Sequence, residues 1–182
     1  MSVRVKLWTR EEYDRLVAAG AFQPETRAQL IQGEIVEMVP QSAAHAASIR
    51  RLQKVMDAVF REGYDVRAQL PLALGAHSEP EPDIAVVPGS LDDYRHHHPT
   101  TATLVVEVSD TTLDFDRTRK QAVHAEAQIP EYWIVNVADG LLEVYRKPEG
   151  SAYRTALQLG PTDTAAPLAA PAAQLKVSDL LP

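Results

Sequence analysis

The sequence has no cysteine among its 182 residues. That excludes disulfides, thiolate metal sites and a cysteine nucleophile, and it suits a reducing compartment. No apolar run approaches the ~18 residues of a membrane-spanning helix. The first residues, MSVRVKLWTREEYD, carry no apolar signal stretch, so a cytoplasmic protein with no membrane partner is expected. Aromatic residues make up only 6%, which argues against the aromatic-rich cleft of a sugar-binding enzyme. Positive charge is in the minority: 18 Lys and Arg against 25 Asp and Glu, a formal net charge of −7. An acidic chain repels nucleic acid on average, so any such contact needs a local basic patch or bound cations.

What is present suits one folded domain with a real core, spanning residues 1–182, with a proline-rich excursion over 161–182. TREEYDRLVAAG predicts a helix, with a capping box of Thr9 and Glu12, an apolar face of Tyr13, Leu16 and Val17, and a stop at Gly20. RAQLIQGEIVEMVP predicts two short strands around a turn at Gln32-Gly33. From Ser42 to Phe60, a stripe of Ile49, Leu52, Val55, Met56 and Val59 predicts a second helix. VRAQLPLAL alternates as a half-buried strand does, with Val66, Ala68, Leu70, Leu72 and Leu74 on one face. PDIAVV and LVVEV are short apolar runs, as in strands covered on both faces. A polar helix follows over 113–127, then a hairpin in EYWIVNVADGLLEVYR turning near Asp139-Gly140. The tail holds four of the 13 prolines and one short strand at QLKVS. The order predicts an α/β fold, a mixed sheet with helices packed on it.

One residue breaks the apolar pattern. Glu107 lies inside LVVEV, where an isolated ionised carboxylate costs several kcal/mol. Asp83 opens the preceding apolar run. If the two strands are neighbours, the carboxylates approach each other, and a cation between them would relieve the repulsion. An oxygen-only donor set suits Mg²⁺ or Mn²⁺. Spacing leaves other readings open: Asp83 after Pro82 could begin a strand or cap a turn, and Glu107 could face solvent beside a lysine. In DFDRTRKQAVHAEAQ, Asp116, Lys120 and His124 are four apart and share a helix face. Lys120 could then reach back over the end of the Glu107 strand. Two carboxylates, a cation and a lysine suit phosphodiester hydrolysis.

Pro82-Asp83, then Glu107-Val108-Ser109 with Lys120 beyond, resembles the PD-(D/E)XK nuclease motif with its lysine displaced. More narrowly, the chain resembles the Uma-two family of restriction endonuclease-like proteins. The matching pieces are LIQGEIVEM, His45, EPDIAVV, LVVEVSD, the helix of Lys120 and IPEYWIVNV, in that family's order from Leu30 to Val137. The resemblance implies a restriction endonuclease-like core and metal-dependent cleavage of DNA. By it, Asp83 and Glu107 are metal ligands, the Val108 carbonyl is a third, and Lys120 is the migrated catalytic lysine. It also implies an acidic role for Glu34, a place for His45 near the pocket, and a homodimer. Ser109 stands where the standard motif has lysine, and His124 where the family usually has tyrosine. The alternative is a non-catalytic binding or structural module that keeps the fold.

Other motifs have blander readings. The run His96 to His98 is expected in a solvated loop. Arg50, Arg51 and Lys54, and likewise Arg117, Arg119 and Lys120, form small basic clusters that solvated helix faces explain unless they touch phosphate. Tyr132 and Trp133 read as core aromatics, and Ser109 has no evident base partner.

Overall fold

The structure is a computed structural model that describes residues 3–23, 26–38 and 41–182. Helix α1 (Arg10–Ala18) begins at the expected capping box: the Glu12 N–H donates to the Thr9 side chain, and the Thr9 N–H donates to the Glu12 carboxylate. Tyr13 is buried, and its hydroxyl donates to the Ala28 carbonyl at 2.7 Å. Val17, expected on the same apolar face, is instead 51% exposed, because only the Tyr13 side of this short helix packs inward. Strands β1 (Arg27–Ile31) and β2 (Glu34–Met38) form the predicted hairpin. Its turn residues Gln32 and Gly33 both have positive φ, as a two-residue turn of this hand requires. Gly33 is needed twice over, since a Cβ there would lie 2.7 Å from Leu7 Cβ. Val39 and Pro40, the end of the second predicted strand, lie outside the described residues.

Ser42 caps helix α2 (Ala43–Val59). Then come β3 (Tyr64–Arg67), β4 (Ile84–Pro88) and β5 (Leu104–Ser109). The expected long alternating strand ends early. Gln69 takes φ +52, Pro71 has no N–H to offer a ladder, and Leu70 turns out to be 43% exposed. The helical crossover from β5 starts as α3 (Leu113–Phe115), passes through one π-helical turn at Asp116–Lys120 and ends as α4 (Gln121–Glu126). Strands β6 (Glu131–Asn136) and β7 (Leu141–Glu149) make the predicted hairpin, and β8 (Ala152–Leu159) extends it. Sequence patterning missed β8, an edge strand on which Tyr153 alone is buried. Strands β9 (Thr164–Ala165) and β10 (Leu175–Lys176), then α5 (Val177–Leu180), complete the chain.

The central sheet runs β3-β4-β5-β6-β7-β8, with β5 and β6 parallel and the other neighbours antiparallel. The period of two along β4 and β5 divides the core. Ile84, Val86, Leu104, Val106 and Val108 face α2 and the C-terminal segment. Ala85, Val87 and Val105 face the crossover and the β1–β2 hairpin. The C-terminal segment is more than an excursion: Ala165, Val177, Leu180 and Leu181 join the first of these clusters. Arg51 holds it by donating to the Leu181 carbonyl at 2.6 Å. Among the described residues, no helix is long and apolar enough to cross a membrane.

Candidate active site

The site lies where β4 and β5 meet the crossover. Ile84 pairs with Val106, so one step further along this antiparallel register Asp83 comes opposite Glu107. Both are buried. The Asp83 N–H reaches Glu107 Oε2 at 3.3 Å, and the Val108 N–H donates to Asp83 Oδ2 at 2.8 Å. Thus the backbone of Val108 borders the carboxylate pair, while its side chain belongs to the core on the other face.

Lys120 is buried, with Nζ 2.9 Å from Glu107 Oε2 and 3.5 Å from Asp116 Oδ1. The helix face of Asp116, Lys120 and His124 points at Glu107, though a π turn helps to shape it. Such turns recur at functional sites because they re-aim side chains within a helix. Thr112 Oγ1 donates to Asp116 Oδ2 at 2.7 Å and holds that carboxylate. His124 is fully buried, its Nε2 lies 4.0 Å from Glu107 Oε1, and its ring packs on Tyr132 at 5.0 Å. Burial, aided by the charge of Lys120, pulls its pKa down to about 3, so the imidazole is neutral.

His45, in the first turn of α2, puts Nε2 3.5 Å from Asp83 Oδ2. The neighbouring Asp83 carboxylate raises its pKa against the effect of burial. Gln69 donates from its side chain to Asp83 Oδ1 at 3.3 Å. Sequence reasoning gave Gln69 no role, and nothing local in its type signals one; its place comes from the chain bend at φ +52. Asp116 was legible only as a helix neighbour of Lys120.

Glu34 is not brought into this group. Its side chain is half exposed and pairs with Arg119 Nη2 at 3.1 Å on the outer side of the hairpin turn. Ser109 is buried and its hydroxyl has no partner among the described residues. His96 to His98 are exposed, while Tyr132 and Trp133 are fully buried.

The cluster floors a cavity of about 270 Å³ whose wall includes Arg27, Gln29, Asp110 and Thr112. Its electrostatics are unbalanced. Burial, with the nearby charges of Asp83 and Asp116 and against the pull of Lys120, pushes Glu107 up to about 8. Burial also works against charge on Lys120, but Glu107, Asp116 and Asp83 outweigh it and keep the ammonium protonated. Asp83 is held below the usual carboxylate range despite burial, by His45, Lys120 and the Val108 amide. Three carboxylates therefore share one buried lysine.

A divalent cation fits this donor set. Glu107 Oε1 is buried with no hydrogen-bond donor among the described residues, and the two carboxylates offer hard oxygen ligands. No three His, Asp or Glu side chains converge as a ready cage among those residues. The fit is therefore of two carboxylates, Asp83 and Glu107.

Comparison with known proteins bears on the same features. The Uma2 family model, described as "Putative restriction endonuclease", matches residues 10–178. No curated protein matches the chain. Among solved structures, the chain is similar to a "putative nuclease belonging to DUF820" from Anabaena variabilis, with a TM-score of 0.70 and 17% identity. The match covers 94% of this chain and 96% of that one. At that identity the likeness speaks for the fold: a mixed sheet flanked by helices, shared with a nuclease-like structure.

Proposed function

We propose, from the premise that this chain belongs to the Uma2 family of putative restriction endonucleases, that it is a divalent-cation-dependent nuclease hydrolysing DNA phosphodiester bonds. The observation that carries the reading is the buried Lys120 ammonium 2.9 Å from Glu107, with Asp83 opposite and one Glu107 oxygen left without a donor. A bound Mg²⁺ or Mn²⁺ would supply Lewis-acid polarisation of the phosphoryl group and would acidify a water for attack.

The chain's own groups do the rest. Asp83 and Glu107, with the Val108 carbonyl, would hold the cation. Lys120 steadies negative charge developing on the phosphoryl oxygens, the part that Ser109 has no charge to play. His45, beside Asp83 at the cavity, donates to a phosphate oxygen when protonated. Gln69 orients Asp83 from the other side. Glu34, tied to Arg119, stays outside this machinery. Cutting both strands of a duplex calls for two such sites, and a homodimer supplies them.

The test is thermal. A ligand that binds only the native state stabilises it by about 2.7 kcal/mol at roughly 100-fold over Kd. Millimolar Mn²⁺ should raise the melting temperature of the wild type and leave Asp83→Ala unmoved. Cleavage of labelled DNA should need the same ion. A melting temperature indifferent to Mn²⁺, with cleavage indifferent to chelator, would sink the reading. Indifference to Mn²⁺ with no cleavage at all would favour a non-catalytic module, in which the Lys120–Glu107 pair balances the buried charge unaided.

A further inference from the structure

A second cavity, of about 450 Å³, adjoins the first and shares Gln41 and Gln69 with it. The two differ in charge. The first is dominated by carboxylates. The second is lined half by apolar residues and half by Arg50, Arg67, the amides of Gln41, Gln53 and Gln69, and one carboxylate, Asp65.

Arg67 sits on β3 with its side chain 7% exposed. Its guanidinium carbon lies 5.5 Å from the centre of the Tyr94 ring, and Nη1 is 3.3 Å from Asp65 Oδ2. Its Nε is buried and has no partner among the described residues. A guanidinium carries five N–H donors in a rigid fork shaped for carboxylate or phosphate. A single carboxylate at one corner leaves that fork underused. Arg50 projects from α2 into the same cavity, exposed, with Gln53 Oε1 as its hydrogen-bond partner at 3.3 Å.

Several other cations of the two basic clusters are already engaged. Arg51 holds the Leu181 carbonyl, Arg117 holds Glu143, Arg119 holds Glu34 and Gln32, and Lys120 holds Glu107. Gln69, at the junction of the two cavities, keeps a left-handed backbone that only the surrounding structure can impose on a glutamine. That bend lets its side chain border both cavities while donating to Asp83.

We propose that this second cavity is a phosphate subsite. It takes a DNA phosphate flanking the reacting one, with Arg67 and Arg50 as its contacts, and so sets the path of the strand from the acidic site across Gln69. The proposal rests on the nuclease reading above and adds the substrate's direction to it. On a chain of net charge −7, two arginines beside the acidic site let a polyanion approach without relying on the metal alone.

The experiment is equilibrium binding of fluorescent DNA oligonucleotides to the full chain, read by anisotropy in chelator over a range of salt. Arg67→Gln and Arg50→Gln should each weaken binding severalfold, equally for unrelated sequences. Each should make the dependence of log affinity on log salt shallower by about one unit. The Mn²⁺ thermal shift should persist in both, since neither touches Asp83 or Glu107. Unchanged affinity and slope in both variants would overturn the subsite, as would a wild type that binds no DNA. Arg67→Gln leaves Asp65 unpaired; if it fails to fold, the exposed Arg50→Gln decides alone. Cation-dependent cleavage with unaltered binding by the variants would remove the subsite and keep the nuclease. Weakened binding without cleavage under any cation would keep the subsite and remove the nuclease.

Discussion

Three neighbouring strands each bury a glutamate: Glu107 on β5, Glu131 on β6 and Glu143 on β7, none more than 1% exposed. Two of them are closed. Glu131 accepts from Trp133 Nε1 at 2.8 Å, from Arg146 Nε at 2.8 Å and from the Leu168 N–H at 2.7 Å. Glu143 accepts from the Arg117 fork, from Asn136 Nδ2 at 2.9 Å and from the Tyr145 hydroxyl at 2.6 Å. Glu107 has Lys120 on one oxygen and no donor on the other.

The difference shows in proton affinity. Burial acts to raise the pKa of Glu143, but Arg117, Tyr145 and Asn136 outweigh it and hold that carboxyl below its ordinary value. Burial of Glu107, with Asp83 and Asp116 nearby, prevails over Lys120 and carries it to about 8. The closed pair are struts: Glu131 ties the C-terminal segment to the sheet, and Glu143 ties the crossover to β7. Glu107 also meets the crossover, through Lys120, but its other oxygen is left open at the floor of a cavity. Its cost makes sense where a ligand completes it.

The sharpest way to break the contrast is Glu107→Gln. It should abolish DNA cleavage while leaving the melting temperature of the apoprotein unchanged or higher, because a neutral amide avoids the burial cost and the Asp83 and Asp116 charges that raise the Glu107 pKa, while Asp116 stays beside Lys120. Full activity would remove Glu107 from the mechanism, and a large loss of stability would make it a third strut. Glu131→Gln should do the reverse. Leaving Arg146 and the Leu168 N–H poorly matched should cost about 3 kcal/mol, visible in urea or thermal melts, with the Mn²⁺ response intact. A melt like the wild type would mean that the C-terminal segment is held by apolar contact alone.

Next in size is Lys120→Ala, which should lower single-turnover cleavage at saturating Mg²⁺ on the order of 10²-fold. Arg119→Ala, one position away and paired with Glu34 at the surface, is the control and should change the rate little. Equal rates for the two would reduce Lys120 to a counterion for Glu107.

The smallest effect concerns Glu79, a carboxylate away from the cluster whose closest cation, Arg10, is 3.9 Å off. Burial and Asp14 lift it to about 7 against the pull of Arg10. The native state therefore holds this proton more tightly than the unfolded chain does. Its contribution to stability is fully present below about pH 4 and is lost as pH rises towards about 7. Glu79→Gln should flatten that part of the stability curve, and an unchanged curve would show the carboxylate to be well solvated.

The sequence alone determined the types of most elements and the conflict at their centre. Unbroken apolar runs marked β4 and β5 as strands covered on both faces, and the same runs exposed Glu107 as a charge out of place. The spacing of Asp116, Lys120 and His124 put them on one helix face, and Gln32-Gly33 marked a hairpin turn. These signals are local: they follow from side-chain period, capping and allowed φ within a few residues. Tertiary structure decided which charges meet. The pairing of Ile84 with Val106 set Asp83 against Glu107, and the β5–β6 crossover buried Lys120 beside them. The same packing kept Glu34 outside, brought Gln69 in through a left-handed bend, and drew Val177 and Leu180 of the tail into the core. Strand register and the docking of a crossover join residues far apart in the chain, and each is chosen by the burial of whole faces. No short window of sequence contains that choice.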